Sequence, residues 1–144
     1  MKILVVGGAG YIGTSLVPQI IERGYHVEVV DLLWFGNKND KSVNVIAKDI
    51  FELKGSDIEK FDQIVFLAGL SNDPMAEYSP SKNFIYNAAA PAYLGYLAKL
   101  SGVKKFIYEY YLHFLMIKLT NREIKCKIFE VALTILFLGV GWVG

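Results

Sequence analysis

The stretch Lys2-Ile3-Leu4-Val5-Val6-Gly7-Gly8-Ala9-Gly10-Tyr11-Ile12-Gly13 decides the reading of this chain. Residues 2–6 form a short apolar run of β type, and residues 12–23 set Ile12, Leu16 and Ile20 at helical spacing, with Val17 and Ile21 beside them. Residues 26–30 return to a strand pattern, so β, α and β follow one another. Gly24 falls where the helix should stop. Lacking a Cβ, it can take the left-handed conformation that turns the chain back toward the next strand.

Glycines occupy the first, fourth and seventh places of Gly7-Gly8-Ala9-Gly10-Tyr11-Ile12-Gly13. In this spacing Gly7 allows the tight turn off the strand, Gly10 lets a pyrophosphate approach the backbone, and Gly13 lets the helix pack closely on the sheet. The helix start then offers free N–H groups and the positive end of its dipole to phosphates, with Thr14 and Ser15 as further hydroxyl donors. Asp31 follows Gly13 by 18 residues, at the end of the second strand. A carboxylate there accepts hydrogen bonds from both ribose hydroxyls of an adenosine and repels a 2′-phosphate. The pattern predicts a site for NAD rather than NADP. A phosphate-loop NTPase would share Gly8 and Gly13 but needs a lysine where Thr14 stands.

Working outward, a polar loop at residues 36–41 leads to a short strand at 43–46, a weak helical turn near 56–60 and a fourth strand at 63–68. These strands are apolar without alternation, as strands covered on both faces are. A longer helix spans about 81–100, closed by Gly102 before a strand at 104–108. Pro91 within it cannot donate to the Asn87 carbonyl, so a kink is expected. The expected fold is α/β, a doubly wound parallel sheet of Rossmann type over residues 1–108. Residues 109–144 read as a divergent or replaced tail packed on or beside it.

Composition fits one packed domain: 144 residues, 53% hydrophobic, with 15 basic and 14 acidic side chains. There is no basic excess of the kind a nucleic-acid binder carries. Cys126 is the single cysteine, so no internal disulfide can form, and with His26 and His113 it makes no zinc-type cluster. A reducing, cytoplasmic setting is expected. The amino-terminal apolar run is too brief for a signal peptide. Residues 128–143 contain Glu130 and fall short of the ~20 residues of a membrane span. Neither nucleic acid nor membrane is an expected partner.

With these residues in view, the chain resembles the extended short-chain dehydrogenase/reductase family, specifically the NAD-dependent sugar-nucleotide epimerases and dehydratases, over roughly residues 1–108. Its cofactor turn has the glycine spacing of Gly7, Gly10 and Gly13, with Tyr11 and Ile12 between, and its acidic ribose residue falls on Asp31. The resemblance further implies an adenine contact at Asp49 and Ile50, a cofactor-lining turn at Phe66-Leu67-Ala68-Gly69-Leu70-Ser71, and an Asn in the following helix at Asn87. Each has a plainer reading: Ala68 and Gly69 as close packing, Asp49 as a solvated strand end, Asn87 as a surface residue or a partner for the carbonyl freed by Pro91. The family implies hydride transfer to and from a sugar carbon, a nucleotide-sugar substrate and a second domain. The apolar tail leaves self-association open.

The resemblance breaks after the fifth strand. There the family places a Ser/Thr pair and then Tyr-x-x-x-Lys on a helix, whose lysine lowers the pKa of the tyrosine that exchanges a proton with substrate. This chain reads Glu109-Tyr110-Tyr111, and Phe114 and Leu115 stand where the lysine would. Tyr78-Ser79-Pro80-Ser81-Lys82 has the spacing but follows the fourth strand, and Pro80 opposes one continuous helix unless the helix begins there. No catalytic residue is assigned. The abrupt change at Glu109 fits either a replaced tail, as a frameshift would give, or a divergent ending. Two functions stay open: an epimerase/dehydratase-type enzyme, or an NAD-binding module without catalysis.

Overall fold

The computed structural model describes residues 1–70, 79–110 and 113–118. Strand β1 (Lys2–Val6) leads through the glycine turn into α1 (Tyr11–Glu22) and back to β2 (His26–Asp31). Then come β3 (Asn44–Ala47), a 3-10 turn (Ile50–Glu52), α2 (Gly55–Ile58) and β4 (Gln63–Phe66). Helix α3 (Pro80–Phe84), a π-helical turn (Ile85–Ala89) and α4 (Ala90–Leu100) precede β5 (Lys105–Tyr110) and β6 (His113–Lys118). The sheet order is β3-β2-β1-β4-β5-β6. Its first five strands are parallel. The order reverses between β1 and β4, which opens a crevice at the carboxyl ends of those strands, the usual ligand position in an open α/β sheet.

Burial on both faces explains the unbroken apolar strands. Ile3 and Val5 of β1 pack with Leu16, Val17 and Ile20 of α1. Leu4 and Val6, on the opposite face, pack with Ile64 and Phe66 of β4 and with Leu94 and Ala98 of α4. Because successive strand residues point to opposite faces, a strand between two helical layers needs apolar residues at every place. Phe66 and Phe106 are both almost wholly buried. Removing such a ring costs about 3–5 kcal/mol.

Three expectations need correction. The interruption in the long helix is a π-helical turn at Ile85–Ala89, one turn upstream of Pro91, and Pro91 itself sits in the first turn of α4, where a missing N–H costs little. The fifth strand extends to Tyr110 rather than ending at residue 108. The sheet also gains a sixth strand that is antiparallel, with Lys105 opposite Lys118 and Tyr110 opposite His113. Only two residues separate β5 from β6, room for a direct return but not for a crossover to a parallel neighbour. Smaller shifts are of one or two residues: β3 begins at Asn44, and the helical turn falls on Gly55–Ile58. Residues 119–144, including the apolar run 128–143, lie outside the described residues. Among the described residues no helix is long and apolar enough to cross a membrane.

Candidate functional site

The glycine turn is built by contacts that no larger residue permits. Gly7 has φ +82°, and a Cβ on it would stand 2.5 Å from the Ala68 nitrogen, so it joins the turn to the end of β4. Gly13 would place a Cβ 2.5 Å from the backbone of Gly8. Its close packing is therefore on the turn itself and not on the strands, as the spacing alone implied. Gly8 is the glycine that meets the sheet, its Cβ position lying 2.8 Å from the Val29 methyls. Sequence reasoning gave Gly8 no role, because its partner lies in the next strand.

Gly10 is the N-cap of α1, in extended conformation, and a Cβ there would touch only the Gly7 carbonyl, at 3.3 Å. No side chain caps this helix and no acidic residue occupies its first turn. The first N–H groups of α1 therefore lack helical carbonyl partners and carry the positive end of the dipole. Thr14 is near them, but its hydroxyl donates to the Tyr11 carbonyl at 3.0 Å. Ser15 lines neither cavity described below.

Asp31 is half-buried and already bonded on both oxygens. Oδ2 accepts the Ala9 N–H at 3.0 Å and Oδ1 the Leu33 N–H at 2.8 Å. The second bond holds Leu33 at φ +58°, an uncommon conformation for a branched residue. Each carboxylate oxygen keeps acceptor capacity for a further donor. Asp31 is thus tied into the turn on both sides of its carboxylate.

Two adjoining cavities follow the crevice. The smaller, about 120 Å³, has Asp31, Ile50, Trp34, Lys48 and Tyr86 in its wall. The larger, about 520 Å³, has Tyr11, Ile12, Gly13, Lys38, Asn87 and Tyr108. Gly7, Gly10, Leu67, Ala68 and Gly69 line both. Gly7, Gly10, Tyr11, Ile12, Gly13, Asp31, Ile50, Leu67, Ala68, Gly69 and Asn87 are therefore gathered in one trough, while Asp49 and Phe66 line neither cavity and Ser71 lies outside the described residues.

Asp49 stands one step behind Ile50. Its Oδ1 accepts the Phe51 N–H at 3.0 Å and caps the 3-10 turn, while Oδ2 accepts the Tyr86 hydroxyl at 3.3 Å. Burial, the Asp49 charge and that hydrogen bond together raise the pKa of the Tyr86 phenol above its ordinary value. Trp34 packs edge-on against Tyr86, with ring centres 5.7 Å apart. Trp34, Phe35, Lys38, Lys48 and Tyr86 are wall residues that sequence reasoning missed. Two adjacent aromatics, three and four residues after Asp31 and just ahead of the polar loop, were the available signal.

Asn87 turns its amide on the segment after β4. Oδ1 accepts the Leu70 N–H at 2.9 Å and Nδ2 donates to the Leu70 carbonyl at 2.9 Å. Its own carbonyl, the one Pro91 cannot serve, accepts the Tyr108 hydroxyl at 2.6 Å. Neither plainer reading of Asn87 survives: it is not a simple surface residue, and Tyr108 partners the freed carbonyl. Of the Tyr78/Lys82 pair, Lys82 is exposed on α3, which begins at Pro80, and Tyr78 lies outside the described residues. Tyr110 belongs to β5, and Tyr111 also lies outside them.

The trough fits a dinucleotide: a glycine-rich turn and uncapped helix start for a pyrophosphate, with an acidic acceptor and an aromatic wall to one side. Comparison with known proteins agrees. The family model for the NAD dependent epimerase/dehydratase family matches residues 3–109. The chain is 32% identical over 108 residues to UDP-glucuronic acid decarboxylase 1 of Danio rerio, covering 72% of this chain and 26% of that protein. It is 36% identical over 95 residues to UDP-glucose 4-epimerase of Lactobacillus helveticus, covering 60% and 28%. The Thermus thermophilus UDP-glucose 4-epimerase complex with NAD superposes with TM-score 0.65 at 26% identity, covering 74% of this chain and 36% of that one. The Thermotoga maritima UDP-glucose 4-epimerase with UDP-glucose gives 0.67 at 29% identity, covering 75% and 37%. The chain thus spans between a quarter and two fifths of the length of these relatives. It belongs to the NAD-dependent epimerase/dehydratase family and corresponds to the NAD-binding portion of those proteins.

Proposed function

We propose that residues 7–13 hold the pyrophosphate of NAD, that Asp31 accepts the adenosine ribose hydroxyls, and that the adenine lies between Ile50 and the Trp34/Tyr86 wall. The observation that carries this reading is Asp31, bonded to the glycine turn and facing the same cavity as Ile50. Gly10, Tyr11, Ile12 and Gly13 lead from the pyrophosphate into the larger cavity, with Leu67, Ala68 and Gly69 opposite. Asn87 braces that opposite wall, and Asp49 fixes Tyr86 beside the adenine. NAD, when bound, supplies an acceptor for hydride from a sugar carbon and returns it. The protein's share is position: the helix start balances phosphate charge and the acidic ribose partner excludes a 2′-phosphate.

The substrate class is a nucleotide sugar, handled by the complete protein, with residues 1–108 as its cofactor-binding portion and residues 109–144 as a divergent or replaced tail whose first residues continue the sheet through β5 and β6. A cytoplasmic setting and self-association through the apolar tail belong to the same reading. A second reading has its own observation. The chain after β5 carries no Ser/Thr pair and no Tyr-x-x-x-Lys, so this polypeptide alone would bind NAD without turning over sugar. A coupled assay with UDP-glucose and UDP-galactose, run on the purified chain with NAD, separates the two. The expected result is NAD binding without turnover. Turnover abolished by Tyr78→Phe would restore the Tyr78/Lys82 pair as the proton-transfer machinery. Turnover insensitive to that change would place a catalytic group in the tail.

A further inference from the structure

We infer that Tyr108 is a positioning residue for the dinucleotide trough, acting through Asn87 on the rim formed by Gly69 and Leu70. The inference rests on the proposed NAD site, because it concerns the shape of that site's wall.

The chain of contacts begins in the sheet. Tyr108 is on β5, paired with Phe66 of β4, and its ring meets the Phe66 ring edge-on at 5.4 Å. The ring is thereby anchored, and its hydroxyl reaches the Asn87 carbonyl at 2.6 Å. That carbonyl lies in the π-helical turn Ile85–Ala89, where a continuous α-helix would have supplied the N–H of residue 91, and Pro91 has none. Wide turns of this kind interrupt α-helices at functional positions and re-aim the side chains they carry. Here the re-aimed side chain is Asn87.

From Asn87 the linkage passes to the rim. Its amide holds Leu70 from both sides, through N–H and through C=O, each at 2.9 Å. Gly69 lies so close to Asn87 Oδ1 that a Cβ there would be only 2.5 Å away. Gly69 and Leu70 border both cavities. A shift of Asn87 therefore moves the wall opposite the glycine turn, and the carbonyl bond to Tyr108 resists that shift. The network is partly buried, and linked hydrogen bonds shielded from water are worth more when complete than when taken singly.

The test uses Tyr108→Phe, which keeps the ring and removes only the hydroxyl. Amide hydrogen exchange, measured without ligand, should accelerate at Leu70, whose N–H bonds Asn87, while β1 and α1 exchange as in the parent. NAD binding by calorimetry should weaken threefold to tenfold, the scale of one neutral hydrogen bond. Pro91→Ala offers an independent route, since it returns a backbone donor that competes with Tyr108 for the Asn87 carbonyl. It should accelerate Leu70 exchange as well, by a smaller factor. Unchanged Leu70 exchange in both variants overturns the inference, and so does uniform acceleration across the sheet, which marks a merely structural hydroxyl. Leu70 exchange that changes without any loss of NAD affinity also overturns it. A parent chain that fails to bind NAD overturns the proposed function instead, and is distinguishable because the exchange arm needs no ligand.

Discussion

Asp31 Oδ2 accepts the backbone N–H of Ala9 at 3.0 Å, so the acidic residue at the end of β2 is part of the glycine turn as well as its neighbour. Charge and geometry can be separated here. Asp31→Asn loses the charge and keeps one acceptor oxygen, enough for only one of Ala9 and Leu33, whereas Asp31→Ala releases both. Both variants should lose at least tenfold of the preference for NAD over NADP. Both should lose stability as well, Asp31→Ala more than Asp31→Asn, by about 1–3 kcal/mol for each backbone group stranded. Paired cofactor titrations and denaturant unfolding check this; equal loss of stability in both variants would contradict it.

The two helix-start glycines should behave differently. At Gly13 a Cβ has backbone 2.5 Å away and nothing flexible to push aside, so Gly13→Ala should destabilise the fold. At Gly10 the neighbour is a single carbonyl at 3.3 Å, so Gly10→Val should leave the fold standing while its side chain fills the path of the pyrophosphate. Circular dichroism melting combined with NAD calorimetry reads both effects. A Gly10→Val protein that folds and binds NAD with parental affinity would remove the turn from the site.

Trp34 should report binding. It is half exposed at the small cavity, edge-on to Tyr86, and the chain's other tryptophan, Trp142, is far along the sequence in the tail. NAD addition should change the tryptophan emission, and Trp34→Phe should remove most of that change while calorimetric affinity stays within about threefold, since the aromatic wall is kept. Emission changes that persist in Trp34→Phe would put the adenine elsewhere.

What could be read from sequence was the part whose cause is local. The β1-turn-α1-β2 unit follows from residue spacing, and Gly7 was correctly read as a turn glycine because its positive φ belongs to its own neighbourhood. Residues whose partners are distant in the chain show those partners only in the fold. Gly8 meets Val29, Asp49 meets Tyr86 across 37 residues, and the π-helical turn at Ile85–Ala89 is joined by Tyr108 from another strand. Pro91 signalled a break but not its place, because the donor that accepts the strain is contributed by the sheet.

Acid should weaken the sheet through Asp62. Its carboxylate accepts the Lys2 backbone N–H at 2.9 Å and the Lys104 ammonium at 2.9 Å, and these hold its pKa below the ordinary 3.8, the backbone bond most strongly. A folded value below the unfolded one gives a contribution present above pH 3.8 and lost as pH falls through the folded value. Urea midpoints should therefore drop between about pH 5 and pH 2, and Asp62→Asn should shallow that slope. Asp57, lowered by the Lys54 backbone N–H and by Lys48, keeps part of the slope in the variant. An identical slope in Asp62→Asn would contradict the assignment.

The central claim is that Asp31 and the Gly7–Gly13 turn together make an NAD site. Calorimetric titration of the purified chain with NAD and, separately, with NADP tests it most directly. The account predicts saturable binding of NAD at one site per chain and weaker binding of NADP; NADP binding as tightly as NAD, or no heat with either, would contradict it.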